Sequence, residues 1–255
     1  VYLGIGVGPL VSPVARYVTG RILRLADGCS VRDPRSLRLC RRLGAGNRCV
    51  LSADLAYLQS DAETDARPSG GSKKVGISVR PYYESYRGQP ERDRDVLDEL
   101  AANLTAAAER ERIEEITIFA CFAAVDGPVA RALAERIDEV DVRVVEFSGE
   151  VEGFVEEMRT CDCFVGFRLH SSLCAALLGL PLFMILYHRK CVTFAEEIGL
   201  DSACAARLSR VGDNVFAKRL ERFLREPHKR YAVPSAMYDR ARTNIEMLFE
   251  LLGSV

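Results

Sequence analysis

The sequence has no apolar run near the eighteen or so residues that a membrane-spanning helix needs. It has no excess of either charge. Lysine and arginine number 35 against 36 aspartates and glutamates, a net charge of −1, so no global basic field points to nucleic acid. Its nine cysteines show no zinc-ribbon or zinc-finger spacing. Cys161-x-Cys163 is a weak metal signal, and a buried strand with two small apolar side chains explains it better. The cysteine count is odd, no signal peptide is present, and most of the cysteines lie in apolar runs. Reduced thiols in a cytoplasmic protein, and no metal site, are therefore expected. No internal repeat stands out. Nor is there an initiator Met or a polar leader. Val1 already sits in an apolar strand, which points to a natural chain that starts further upstream.

What is present reads as alternating strands and helices. Val1–Val7 is a strand with glycines at 4, 6 and 8; this is not GxGxxG, and tight packing explains it as well as a ligand does. Residues 12–26 carry helical spacing, with Val14, Val18, Ile22 and Leu25 on one face. Short strands at 29–32 and 48–51 flank a helix that Asp33 caps and Pro34 opens. Residues 59–74 have no core pattern and read as a linker. The alternation then restarts. Strands are expected at 75–79, 115–121, 142–147, 163–165 and 181–187. Helices are expected at 92–112, 128–139, 151–159, 171–178, 194–198, 213–225 and 235–252. This predicts an α/β protein of two doubly wound Rossmann-like domains facing a cleft, the first incomplete at its N-terminus. Residues 1–60 form the first, 61–74 the linker and 75–255 the second, with the terminal helices; architecture alone suggests that the final helix crosses back to the first domain.

The chemistry concentrates in the run from Cys163 to Lys190. Two turns follow two apolar strands there, and in open α/β sheets ligands sit beyond the carboxyl ends of strands. Arg168 and His170 fall in the first turn and Lys190 in the second. Two apart in an extended turn, Arg168 and His170 would face one ligand. Arginine can fork onto a phosphate or carboxylate, and a neutral histidine at a helix N-terminus can take a proton. Arg80, at the end of another strand, is a further candidate anion ligand. Each has a plainer explanation: a buried capping role for His170, an acid partner in the other domain for Arg168, a surface helix start for Lys190. Asp33 is more naturally a cap than a catalyst. His188 and His228 read as ordinary surface or helix-edge residues. Tyr82, Tyr83 and Tyr86 suit either sugar stacking or a loop lid.

Several segments together resemble the polysaccharide pyruvyl transferases. Gly4-Ile5-Gly6-Val7-Gly8-Pro9 is similar to that family's glycine-rich strand, and Val31-Arg32-Asp33-Pro34-Arg35-Ser36 to its Val-Arg-Asp-x-x-Ser motif. Ser52-Ala53-Asp54 resembles its Ala-Asp pair, and Gly166-Phe167-Arg168-Leu169-His170-Ser171 its Arg-Leu-His signature. Tyr187-His188-Arg189-Lys190 departs from the frequent Tyr-Asp-Pro-Lys but keeps the lysine. The resemblance implies a glycosyltransferase-B-like architecture and phosphoenolpyruvate as donor substrate, with no cofactor. It implies a sugar acceptor on a lipid-linked or nucleotide-linked precursor of cell wall or exopolysaccharide. A lipid-linked acceptor would bring peripheral association with the inner face of the membrane. Carried over, the signature histidine and arginine fall on His170 and Arg168, the downstream lysine on Lys190 and the earlier arginine on Arg32; with the reading of the residues themselves, catalysis is expected of His170, Lys190 and Arg168, and substrate binding of Arg80, Arg32, Asp33 and Ser171. Two alternatives stay open: a glycosyltransferase of the same architecture using a sugar nucleotide, and a non-catalytic glycan-binding paralogue.

Overall fold

A computed structural model describes residues 1–59, 73–226 and 230–253 of the chain. Most of the 59–74 linker, and His228, lie outside the described residues. The chain divides into two compact units, Val1–Ala62 with Pro234–Val255, and Glu63–Val233.

The first unit holds β1 (Tyr2–Ile5), α1 (Pro13–Leu25), β2 (Cys29–Val31), α2 (Pro34–Arg42) and β3 (Cys49–Leu51), with the strands parallel in the order β1-β2-β3. Both helices start as their sequences direct. Ser12 accepts from the Val14 N–H at 3.2 Å and Asp33 from the Ser36 N–H at 2.8 Å, each with proline next in line. Strand alternation sorts β2 by face. Cys29 and Val31 join Leu23, Cys40 and Cys49 in the core under α1 and α2, while Ser30 points the other way. The glycines of the first strand serve packing: a Cβ on Gly6 would press on the Arg32 guanidinium at 3.1 Å, and one on Gly4 on the Ala53 carbonyl at 3.1 Å. The stripe of Val14, Val18, Ile22 and Leu25 is exposed, Leu25 by 74%. The inward side of α1 is instead Gly20 and Leu23, because only a glycine lets the helix approach the Leu43 carbonyl.

The second unit is a six-stranded parallel sheet. In chain order it runs β4 (Lys73–Ser78), α3 (Tyr82–Arg87), α4 (Pro90–Glu111), β5 (Ile113–Ala120), α5 (Ala123–Ala134), β6 (Asp141–Glu146), α6 (Val151–Arg159) and β7 (Cys163–Gly166). It continues with α7 (Leu169–Leu177), β8 (Leu182–Leu186), α8 (Arg189–Glu197), β9 (Ala205–Arg207) and α9 (Asn214–Arg225). The strand order is β6-β5-β4-β7-β8-β9, so the winding reverses between β4 and β7. The central strands are buried on both faces, which is why they read as unbroken apolar runs. Phe119 meets Phe154 and Phe164 on one side of the sheet, and Phe183 meets Phe216 and Phe223 of α9 elsewhere, with centroids 5.4–6.0 Å apart. At the amino ends of the strands an ion-pair ladder runs from Lys74 through Glu115 and Arg143 to Glu157, at 2.9–3.0 Å per step.

Four local features differ from the sequence expectations or add to them. Helix α5 starts at Ala123 and carries Pro128 inside it, so that proline does not mark the start. Helix α3 occupies the tyrosine segment, closed by Gly88 in the left-handed region at φ 63°. Helix α8 begins at Arg189, five residues ahead of Phe194. Strand β9 is only Ala-Ala-Arg, too short and too weak in strand propensity to be seen in sequence. The last helix, α10 (Ser235–Leu252), belongs to the first unit, so the domain expected over 75–255 ends earlier. Buried Asn244 fixes it there: its amide donates to the Ala53 carbonyl at 3.1 Å and its oxygen accepts from Ser30. Tyr238 packs edge-on against Tyr57 at 6.3 Å. Among the described residues no helix is long and apolar enough to cross a membrane.

Candidate functional site

The reversal of winding puts a crevice beyond the carboxyl ends of β4 and β7, the usual ligand position in such sheets. The Ser78 hydroxyl, last in β4, closes the floor. It accepts from the Phe167 N–H at 2.9 Å and the Arg168 N–H at 3.2 Å, and lies 2.7 Å from the Ser171 hydroxyl. Ser171 also reaches the Arg168 carbonyl at 3.0 Å. Buried Ser171 therefore holds the turn. Gly166 is required by the same packing, since a Cβ there would fall on the Ser172 hydroxyl.

Two residues past β4 stands Arg80, 6% exposed. Its Nη1 donates to the Tyr187 hydroxyl at 3.1 Å, and its guanidinium lies 4.8 Å from the Tyr187 ring centre and 5.0 Å from that of Tyr86. Its Nε has no hydrogen-bond partner, and no carboxylate among the described residues pairs with it. Burial pushes the Tyr187 phenol up, against the pull of Arg80, so the ring stays neutral and supplies no counter-charge. Tyr82 packs on Tyr187 at 5.4 Å and Phe167 at 5.6 Å, locking that ring in place. Lys190 comes to the same ring from α8, with Nζ 5.8 Å from its centre.

Arg168 caps α7 in extended conformation and pairs with Asp126 on α5, which is 0% exposed. Its acid partner is thus in its own unit, not in the other. Leu169 and His170 are already helical, so the spacing of an extended turn does not apply to Arg168 and His170. His170 is exposed on the first turn of α7, which excludes the buried capping role. Lys190 holds the equivalent position, second in α8, after the His188 cap. The helices follow adjacent parallel strands, and packed helix axes lie about 8–10 Å apart. His170, Lys190, Arg80 and Arg168 therefore all belong to the carboxyl edge of one sheet. In the first unit Arg32 pairs with Asp54, and Asp33 caps α2 while also accepting from the Ser36 hydroxyl at 2.7 Å.

Beside Tyr187 opens a cavity of about 810 Å³, bounded by α3, the start of α4 and α8. His188 lines it, and its Nδ1 accepts from the Lys190 N–H at 3.3 Å, so of its two readings the helix-edge one holds, and the capping residue faces a cavity. Asp126 and His188 were both missed. Nothing in the sequence marks Asp126, 42 residues before Arg168. The capping pattern ahead of α8 could have marked His188. Among the described residues no group of three or more His, Cys, Asp or Glu side chains is placed to hold a metal.

The fold is shared with solved structures at low identity. The UDP-GlcNAc 2-epimerase of Methanocaldococcus jannaschii superposes with a TM-score of 0.61 at 12% identity, over 98% of this chain and 69% of that one. The Neisseria meningitidis UDP-GlcNAc 2-epimerase bound to UDP-GlcNAc gives the same four values. A putative UDP-N-acetylglucosamine 2-epimerase of Listeria monocytogenes gives 0.57 at 13%, over 98% and 67%. No curated protein sequence matches. The family model for polysaccharide pyruvyl transferase matches residues 1–189, a span that takes in Arg32, Arg80, Arg168 and His170 and stops one residue short of Lys190. With that match over most of its length, the chain belongs to the polysaccharide pyruvyl transferases, a family of transferases.

Proposed function

We propose that the carboxyl edge of the second sheet binds phosphoenolpyruvate and transfers its pyruvyl group to two hydroxyls of a sugar, forming a ketal and releasing phosphate. The observation that carries this is Arg80. A buried guanidinium without a carboxylate partner is costly unless an anion completes it, and Lys190 lies against the same ring. Phosphoenolpyruvate offers a carboxylate and a phosphate to Arg80 and Lys190.

The chemistry assigns the remaining roles. The enol methylene must gain a proton, the central carbon must bond to both sugar oxygens, and the carbon–oxygen bond to phosphate must break. Of the two hydroxyl protons, one ends on the new methyl group and the other on the released phosphate. Exposed His170 is the proton carrier. Arg80 and Lys190 hold the donor and stabilise the departing phosphate. Arg168, fixed by Asp126, adds a positioned cation at the same edge. Arg32 and Asp33 are engaged with Asp54 and Ser36, and take no part in this assignment.

The test is incubation with phosphoenolpyruvate and candidate glycans, following phosphate release and the mass of the acceptor. Phosphate release matched by a pyruvyl gain supports the proposal. Transfer of a sugar from a sugar nucleotide under the same conditions, without either, would replace it with the glycosyltransferase alternative.

A further inference from the structure

Arg80 has no carboxylate partner among the described residues, and it is also covered. A carboxylate or phosphate oxygen bonds a guanidinium at about 2.7–2.9 Å. At 6% exposure no oxygen from outside comes that close, so a side chain over Arg80 must leave before an anion binds. Two rings lie over the guanidinium, Tyr187 at 4.8 Å and Tyr86 at 5.0 Å. Tyr187 is 9% exposed and packs against Tyr82 and Phe167, so it stays. Tyr86 is 56% exposed, and its ring stands between the charge and solvent. Its other ring contact is Tyr82, at 5.2 Å. Both contacts are weak beside a charge-assisted hydrogen bond, so an entering anion can replace them.

The helix that carries Tyr86 is fixed at its first turn. Helix α3 has six residues, too few to persist without support. Buried Asp93 of α4 supplies that support, accepting from the Tyr83 N–H at 2.9 Å and the Glu84 N–H at 2.7 Å. Arg92 adds to it, lying over the Tyr83 ring at 4.2 Å. The last turn, from Ser85 to Arg87, is exposed and ends at Gly88, where a Cβ would meet nothing within 4 Å. Tyr82, Tyr83 and Arg87 border the cavity of about 810 Å³, so open space lies beside the helix. We infer that Tyr86 is a gate over Arg80: the last turn of α3 lifts the ring away to admit an anion, while Asp93 ties the helix down. That the anion is phosphoenolpyruvate rests on the pyruvyl-transfer proposal; the gate does not.

The experiment joins a ligand-free labelling to a titration. Phenylglyoxal modifies accessible guanidinium groups, and mass spectrometry of the Arg80 peptide follows the rate. In the parent chain Arg80 should react at least about tenfold more slowly than exposed Arg87, because the open state is a minor one. Tyr86→Ala should speed Arg80 by about tenfold or more, and Asp93→Ala should speed it too. Alkylation of buried Cys163 shows whether Asp93→Ala stays folded; if it does not, Tyr86→Ala, at an exposed position, carries the labelling. Calorimetric titration with phosphoenolpyruvate then reads the sign. Removing a gate tightens binding, here by up to about tenfold, since the closed fraction no longer competes with the ligand. Arg80 as reactive as Arg87 in the parent chain, or a rate that Tyr86→Ala leaves unchanged, overturns the gate. Equal or weaker phosphoenolpyruvate binding by Tyr86→Ala also overturns it, because the ring is then an inert neighbour or part of the binding surface. The expected labelling without any phosphoenolpyruvate binding by the parent chain keeps the gate and removes the pyruvyl-transfer proposal.

Discussion

At the scale of single residues, Arg80 decides most. A guanidinium at 6% exposure, set among tyrosine phenols and paired with no carboxylate among the described residues, is a charge that the folded chain leaves uncompensated. Arg80→Met should keep or raise the melting temperature, since removing an unpaired buried charge is neutral or stabilising. The same change should cut phosphoenolpyruvate affinity by about a hundredfold, in the range seen when a buried charge contact is lost. A fall in stability with unchanged affinity would make Arg80 a structural residue. His170→Ala should lower turnover by about 10²–10⁴-fold, measured as phosphate release, and a loss below about tenfold would remove it as the proton carrier. Glu115 behaves differently. Burial would raise its carboxyl, but hydrogen bonds from Lys74, Thr117 and Arg143 outweigh it and bring the pKa from 4.5 down to about 2. A carboxyl depressed on folding contributes stability that is present above about pH 4.5 and lost as pH falls towards about 2. Glu115→Gln should therefore lower stability at neutral pH and flatten its decline across that window. Acid titrations of unfolding with equal slopes for both proteins would contradict this.

At the scale of elements, the strand-turn-helix around Gly166 sets the site. Gly166→Ala should destabilise the second unit by about 1–3 kcal/mol, because the added methyl must displace the Ser172 hydroxyl and overpack a tight turn. Urea melts read this directly, and an unchanged midpoint would mean that α7 can shift at no cost. The central strands and α4 were legible because both their length and their period are strong: Leu97, Leu100, Leu104 and Ala108 fall on one buried face as their spacing requires. The edge strand β9 was not, since three residues carry no period. Proline misled at α5, where Pro128 sits inside the helix and not at its head. The cluster at the carboxyl edge was legible as a placement, since Arg80, Arg168, His170 and Lys190 each stand within a few residues of a strand end. Its supports were not: Asp126, Ser78 and the Tyr187 ring meet the site through space, and chain order does not encode that. On α1 an apolar stripe of good helical spacing faces outward, so spacing alone does not say which side is the core.

At the scale of the whole molecule, the chain returns to its first unit at its end. Asn244, 0% exposed, ties α10 to Ser30 and to the Ala53 carbonyl, and those groups lose their partner in Asn244→Ala. The expected cost is about 1–3 kcal/mol. Hydrogen exchange should show it as lost protection in β2 and β3, with β4, β5 and β7 unchanged; equal loss in both units would mean that they unfold together. The sequence pattern located two α/β units and counted residues 235–252 with the second by chain order; the return of the last helix to the first unit was expected from architecture alone, because an amphipathic helix does not name the sheet that it covers. The central claim is that the carboxyl edge around Arg80 and Lys190 takes phosphoenolpyruvate. Calorimetric titration of the chain with phosphoenolpyruvate, beside Arg80→Met, tests it most directly. Saturable binding that Arg80→Met weakens by about a hundredfold is the predicted result; no binding by the parent chain, or equal binding by both, would contradict it.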